Sequence, residues 1–202
     1  MTEMIYKVIP LGELLGKEYN QDKLNTAFKR FSCQREADLE NFLQEKAILY
    51  ENTNLGKTYL ILDSTELENK NFVIAGYFTI AQKSVDISEI SAKKRRKMLG
   101  SYPGRDKLKS VPAYLIGQLG RCDSYSSLQL PGDTILNECY NVISLASMIV
   151  GGNLIVLECR DGMFSKVYER LGFKKLYDSL NDEKLDTLYK KVDFEDYWNY
   201  KQ

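Results

Sequence analysis

Pro112-Ala-Tyr-Leu-Ile-Gly-Gln-Leu-Gly-Arg-Cys-Asp123 decides the fold, read with Gly132-Asp-Thr-Ile-Leu136 and Val167-Tyr-Glu-Arg-Leu-Gly-Phe173 downstream. Residues 113–121 are an apolar run of strand length, so a buried strand is expected there. From Asp133 to Val150 the positions Ile135, Leu136, Cys139, Ile143, Ala146 and Ile149 recur with helical spacing and predict a helix with a wide apolar stripe. Gly151-Gly152 stops that helix. Leu154-Ile-Val-Leu157 is a short, wholly apolar strand, and residues 164–171 read as a helix ended by Gly172. Strand, crossover helix and second strand make a βαβ unit.

Upstream, residues 4–9 read as an opening strand, and Leu24, Phe28 and Phe31 give residues 22–31 a helical period. A second helix is expected over residues 37–50, where Leu39, Phe42, Leu43, Ala47 and Leu49 or Tyr50 point one face at a core. Thr58-Tyr-Leu-Ile-Leu62 and residues 71–80 are rich in β-branched and aromatic side chains; they predict an antiparallel pair joined by a turn through the polar stretch 63–70. Residues 83–110 form a polar excursion with a short helix. The fold class is therefore α/β with a mixed, largely antiparallel central sheet flanked by helices. No linker, repeat or low-complexity segment divides residues 1–202, so a single domain is expected.

Composition narrows the chemistry. Lys plus Arg (28) balances Asp plus Glu (28), so attraction to nucleic acid or an anionic surface has to come from a local patch. The sequence has no histidine, which excludes Ser-His-Asp and Cys-His pairs, His-ligated zinc and imidazole acid-base catalysis. Cys33, Cys122, Cys139 and Cys159 form no CxxC pair, and three sit in apolar contexts, as expected of reduced, buried thiols. Met1-Thr-Glu-Met-Ile carries an early acid and lacks the pattern of a secretory signal; a cytoplasmic protein is expected. Residues 142–157 are too short, too polar and too interrupted by glycine for a membrane span.

Residues 112–173 resemble the acyl-CoA-binding half of the GCN5-related N-acetyltransferases (GNAT family), in which a strand, a phosphate-gripping helix start and a tyrosine-bearing helix meet in one cleft. Many members carry alternating glycines before the helix, whereas this chain reads Tyr125-Ser-Ser-Leu-Gln-Leu-Pro-Gly132. The resemblance is closer to a branch from Gram-positive bacteria and mobile elements, whose helix opens on a lone Gly-Asp or Gly-Glu and whose Gly-Gly turn precedes Leu-Glu-Cys. Gly132-Asp133, Gly151-Gly152 and Leu157-Glu-Cys159 stand in those places.

That resemblance implies an acyl-CoA N-acyltransferase fold and acetyl-CoA as acyl donor, with no metal. It implies that Leu119, Gly120 and Arg121 align the pantetheine and that Gly132, Asp133 and Thr134 receive the pyrophosphate. Unpaired amides and the positive end of the helix dipole favour an anion at such a helix start, although Asp133 is itself negative and also suits a first-turn acid. Tyr168 lies in Val-Tyr-Glu-Arg-Leu-Gly-Phe, similar to the family's Phe-Tyr-Glu-Lys-x-Gly-Phe, and a phenol there protonates the departing CoA thiolate. A helix tyrosine that only packs its ring is the plainer reading. Glu158, Asp123 or a water are the candidates for the general base.

Phe31-Ser-Cys-Gln-Arg-Glu-Ala-Asp-Leu-Glu-Asn-Phe-Leu43 is similar to the opening of a subset of the family that includes tRNA-directed toxins, with Gln34 in place of glycine and one extra residue before the leucine. Lys93-Lys-Arg-Arg-Lys97 is the one dense charge run, read either as a solvated face or as a patch for a negatively charged acceptor. The function expected is transfer of an acetyl group to a primary amine by direct attack. The acceptor is a small molecule, a protein amine or an aminoacyl-tRNA, without a membrane, and a homodimer is compatible with the reading. An inactive, CoA-sensing or protein-binding module is the alternative.

Overall fold

The computed structural model describes residues 4–15 and 21–194. The chain divides into two compact units, Met1–Ala81 with Gly117–Val142, and Gln82–Ile116 with Ile143–Gln202. In the first, β1 (Tyr6–Pro10) runs antiparallel to β2 (Lys57–Asp63), pairing Tyr6 with Asp63 and Pro10 with Tyr59. Next comes β3 (Ile74–Asp86), antiparallel to β2 with a bulge at Ile61/Leu62. Helices α1 (Leu11–Leu15) and α2 (Gln21–Arg30) bury Leu11, Leu14, Leu24, Ala27 and Phe28, the apolar positions that return with the helical period.

The single helix expected over residues 37–50 is broken into α3 (Ala37–Asn41), a π turn at Phe42–Lys46 and α4 (Ala47–Asn52). A π turn inserts a residue and advances the helix face. Phe42, Leu43 and Ala47 stay inward, while Leu49 is turned out, 57% exposed. The turn expected between β2 and β3 is a short helix, α5 (Ser64–Glu68), because Asp63 accepts from the amides of Thr65 and Glu66 and so caps it.

Tyr77 on β3 centres this core. Its ring meets Phe31 edge-on at 5.3 Å and stacks on Phe42 at 6.4 Å, and its hydroxyl donates to the Leu39 carbonyl at 2.7 Å. Beside it a Cβ on Gly76 would come within 2.9 Å of the Gly120 carbonyl and 3.0 Å of Leu130. The obstacle is backbone, so it cannot swing aside. Gly76→Ala is expected to lower stability by about 1–3 kcal/mol, the usual cost of overpacking, in urea denaturation. An unchanged midpoint would mean that the two strands yield there.

In the second unit, α6 (Ala92–Leu99) and a 3-10 turn at Arg105–Lys107 precede β4 (Ser110–Arg121). The polar excursion predicted from residue 83 starts later, because β3 continues to Asp86. β4 and β5 (Leu154–Arg160) are parallel, with Tyr114 opposite Ile155 and Ile116 opposite Leu157, and the crossover between them is α7 (Gly132–Val150). The turn after α7 needs glycine twice: Gly151 and Gly152 have φ of +73° and +92°, and Tyr114 donates to the Gly151 carbonyl at 2.6 Å. The stripe predicted for α7 is buried at Ile135, Leu136, Cys139 and Ile143 but not at Ile149, which is 84% exposed along with Leu145, Met148 and Val150. Helical periodicity orients a side chain without supplying a neighbour to cover it.

Two strands were not read from the sequence, β6 (Lys174–Lys175) and β7 (Leu185–Lys191). β7 pairs antiparallel with β5, placing Thr187 opposite Glu158 and Asp186 opposite Cys159, and β6 pairs with β7. The strand order is β1-β2-β3-β4-β5-β7-β6, a mixed and mostly antiparallel sheet as expected.

Candidate active site

In the first unit, β4 ends at the proposed pantetheine residues. Leu119 and Arg121 are half-buried and Gly120 is buried, with a Cβ on Gly120 meeting Leu39 at 2.8 Å. The Arg121 guanidinium reaches the Leu130 carbonyl at 2.9 Å, two residues before α7 begins, and so ties the strand end to the helix start. The bulk of the glycine-poor loop is accommodated: Leu130 is fully buried, Leu128 is exposed, and Ser126 and Gln129 close a turn by mutual hydrogen bonds. Gly132 is exposed, and a Cβ built on it would touch nothing within 4 Å. The space over the first turn is thus open to a ligand. The Thr134 amide already donates to the Pro131 carbonyl at 3.1 Å, which leaves it less to offer a phosphate than Gly132.

Asp123 has a structural task. Its carboxylate accepts from the Gln34 amide at 2.8 Å and its own amide donates to the Ser32 carbonyl, so the end of β4 is stitched to the Phe31–Leu43 motif. The Cys33 amide donates to Glu40 in the same motif. Burial, then the negative charge of Asp123, pushes the Cys33 thiol up, and burial raises Cys139 and pushes Cys159 up to about 11. All four cysteines are free and buried, and these three stay thiols at neutral pH, poor nucleophiles in that state.

In the second unit, the helix expected at 164–171 is a single π turn, Phe164–Tyr168, after which the chain turns tightly and reverses at Gly172, φ +83°. The Phe173 amide donates to the Tyr168 carbonyl at 3.1 Å, and the Tyr168 ring meets Phe173 edge-on at 5.6 Å, which fixes where the phenol points. This segment meets the face of β7 that carries Lys190 and Asp186. Lys190 donates to the Leu171 carbonyl at 2.8 Å and sits 5.7 Å from the Phe173 ring, while Lys175 sits over Phe164 and pairs with the buried Asp186 at 2.8 Å.

Glu158 is on the other face, because successive strand side chains alternate and it shares its side with Thr187 rather than with Asp186. Its Oε1 accepts from Lys83 at 2.8 Å and from Asn181 at 3.2 Å. These groups line a pocket of about 240 Å³ that also includes Leu115, Val156 and Tyr177. Lys83, Asn181 and Tyr177 were not singled out in the sequence, since nothing local marks three residues from separate segments as neighbours.

The basic run divides. Arg95 is 8% exposed and donates to four backbone carbonyls, Lys94 lies 3.5 Å from Asp178, and Lys93, Arg96 and Lys97 are exposed.

Elements in this order, with this strand arrangement, are the GNAT fold. Among solved structures, AtaT complexed with acetyl-methionyl-tRNAfMet is similar over 98% of this chain and 100% of that one, at a TM-score of 0.66 and 20% identity. AtaTR bound with AcCoA is similar over 98% of each chain, at a TM-score of 0.65 and 20% identity. A tyrosine-to-phenylalanine mutant of KacT matches 96% of this chain and 98% of that one, at a TM-score of 0.67 and 19% identity. No protein-family model and no curated protein matches the chain.

Proposed function

We propose that the protein is an N-acetyltransferase that moves the acetyl group of acetyl-CoA to a primary amine by direct attack. The amine nitrogen bonds to the thioester carbonyl carbon, the C–S bond breaks, Tyr168 gives the thiolate a proton, and the proton lost by nitrogen passes to Glu158 or to water. The observation that carries this reading is the disposition of the two groups in the second unit: Tyr168 belongs to the segment that meets the Lys190 and Asp186 face of β7, and Glu158 projects from the opposite face of the β5–β7 pair, on the side of Thr187. Direct transfer asks for an acid at sulfur and a base at nitrogen, and because both atoms share the carbonyl carbon the two groups have to reach one point from their two sides.

Leu119, Gly120 and Arg121 align the pantetheine in this reading, and the pyrophosphate goes to Gly132 and Asp133 with Thr134 beside them. The open space over Gly132 and the dipole of a 19-residue helix favour an anion there. Residues 1–202 act as one domain. An aminoacyl-tRNA is the favoured acceptor class, since AtaT is complexed with acetyl-methionyl-tRNAfMet and AtaTR with AcCoA. Lys93, Arg96 and Lys97 are the cations of the basic run left to draw a polyanion.

The test is calorimetry with acetyl-CoA followed by an assay of CoA release with a panel of amines and aminoacyl-tRNAs. Saturable binding and amine-dependent release are expected. Binding without release by any acceptor would leave a CoA-sensing module, and no binding at millimolar acetyl-CoA would overturn both readings.

A further inference from the structure

The pocket around Glu158 has a polar floor and apolar walls. Glu158 contributes a carboxylate that is 26% exposed, Lys83 an ammonium that is 36% exposed, and Leu115, Val156 and Tyr177 the apolar surface. Tyr177 is held in place, its hydroxyl donating to the Asp86 carbonyl at 2.7 Å. Asn181 is held as well: its Oδ1 accepts from the amides of Glu183 and Leu185, which leaves its amide nitrogen to bond Glu158. The Glu158 carboxylate is therefore positioned from the Asn181 side by a braced loop, whereas on the other side it meets only the end of a flexible lysine.

We propose that this pocket binds the acceptor, that its ligand is a primary ammonium carrying a compact apolar group of amino-acid size, and that Lys83 Nζ occupies the ammonium's place on Glu158 until the acceptor arrives. The inference rests on the acetyltransferase reading for its purpose, but not for its geometry. Size follows from the volume: about 240 Å³ is below the roughly 300–1,000 Å³ of pockets that engulf drug-sized ligands, and suits an amino-acid side chain and its amine. Charge follows from the lining, where Glu158 and Asp86 outnumber Lys83. Displacement is cheap, because a partly exposed ion pair is worth little and Lys83 regains water when it leaves. The incoming ammonium then has the 2.8 Å contact that Lys83 had, and passes one proton to Glu158 to free the lone pair that attacks; the second proton leaves the nitrogen for water after the C–N bond forms.

The inference is tested by titrating leucinamide into the full chain without acetyl-CoA, by calorimetry, so that the readout does not depend on turnover. Lys83→Met is expected to tighten leucinamide binding about two- to fivefold, the worth of an exposed pair, and Lys83→Arg to restore the wild-type affinity. Glu158→Gln is expected to weaken binding about 10- to 100-fold, the loss of a charge-assisted hydrogen bond. Weaker binding in Lys83→Met, or unchanged binding in Glu158→Gln, would overturn the proposal even if the protein acetylates amines elsewhere. Leucinamide binding with the expected pattern, but no CoA release from acetyl-CoA with leucinamide or with any aminoacyl-tRNA of the panel, would uphold the pocket and defeat the acetyltransferase reading instead.

Discussion

Tyr168→Phe is expected to lower the rate of amine-dependent CoA release by about 10²- to 10⁴-fold, the range that a positioned general acid contributes, and to leave acetyl-CoA affinity nearly unchanged. The substitution removes only an oxygen. The ring remains to meet Phe173 edge-on, and the turn closed by the Phe173 amide on the Tyr168 carbonyl does not involve the side chain, so the segment keeps its shape. In the proposed mechanism, what is lost is a proton donor for sulfur. A thiolate leaves without help far more readily than an alkoxide, which is why the lower end of the range applies if sulfur departs largely as the anion. Single-turnover measurements, where chemistry limits the rate, are the ones that count. An unchanged single-turnover rate removes Tyr168 from the mechanism, and a large rise in the dissociation constant for acetyl-CoA assigns it to binding instead.

Arg95→Met costs about 3–5 kcal/mol of stability, a large share of the 5–15 kcal/mol typical of a folded domain. One nitrogen of Arg95 donates to the carbonyls of Arg105 and Leu108 and, at 3.0 Å, Asp106; the other donates to Ile87 at 2.6 Å. A methionine fills the space but takes the guanidinium donor from the part-buried carbonyls of Arg105, Asp106 and Leu108, and leaves the Ile87 carbonyl the Ile90 amide at 3.4 Å. Lysine does not substitute, since a single ammonium cannot reach in the fork that a planar guanidinium provides. Arg96, its exposed neighbour in the same run, is the control: Arg96→Met stays within about 0.5 kcal/mol of the wild type. Urea denaturation gives the comparison, and hydrogen exchange at residues 100–109 shows whether the loop opens first. An Arg95→Met midpoint as high as that of Arg96→Met would show that the loop holds by other contacts.

Arg95 also shows what a sequence pattern hides. Five consecutive cations look interchangeable, yet helix geometry places the third of them on the side that carries Met98 and Leu99 inward, and the loop wraps its carbonyls around it. The same limit appears at Ile149, an apolar residue in phase with a helical stripe that ends exposed because nothing described covers it; of Leu49 and Tyr50, which the period left as alternatives, Tyr50 packs on Phe42 and Leu49 is turned out past the π turn. β7 was missed for the reverse reason: Asp186 and Thr187 are polar but buried, their side chains covered by Lys175 and by the second-unit pocket, so no apolar alternation announces the strand.

The βαβ core and the Gly-Gly turn were legible from residues 112–173, because each depends on local rules: strand-length apolar runs, a helical period, and glycines where φ is positive; the GNAT fold was legible there only through the resemblance of those motifs to a family. Asp123 and Glu158 were equal candidates for the base on that evidence. Their surroundings are a tertiary matter: Asp123 is tied to the Gln34 amide, and Glu158 is set between Lys83 and Asn181 in a pocket. The cause is physical: a carboxylate's role depends on the donors that surround it, and those donors come from segments 75 and 23 residues away, whose meeting is a property of the packed sheet and not of any local run.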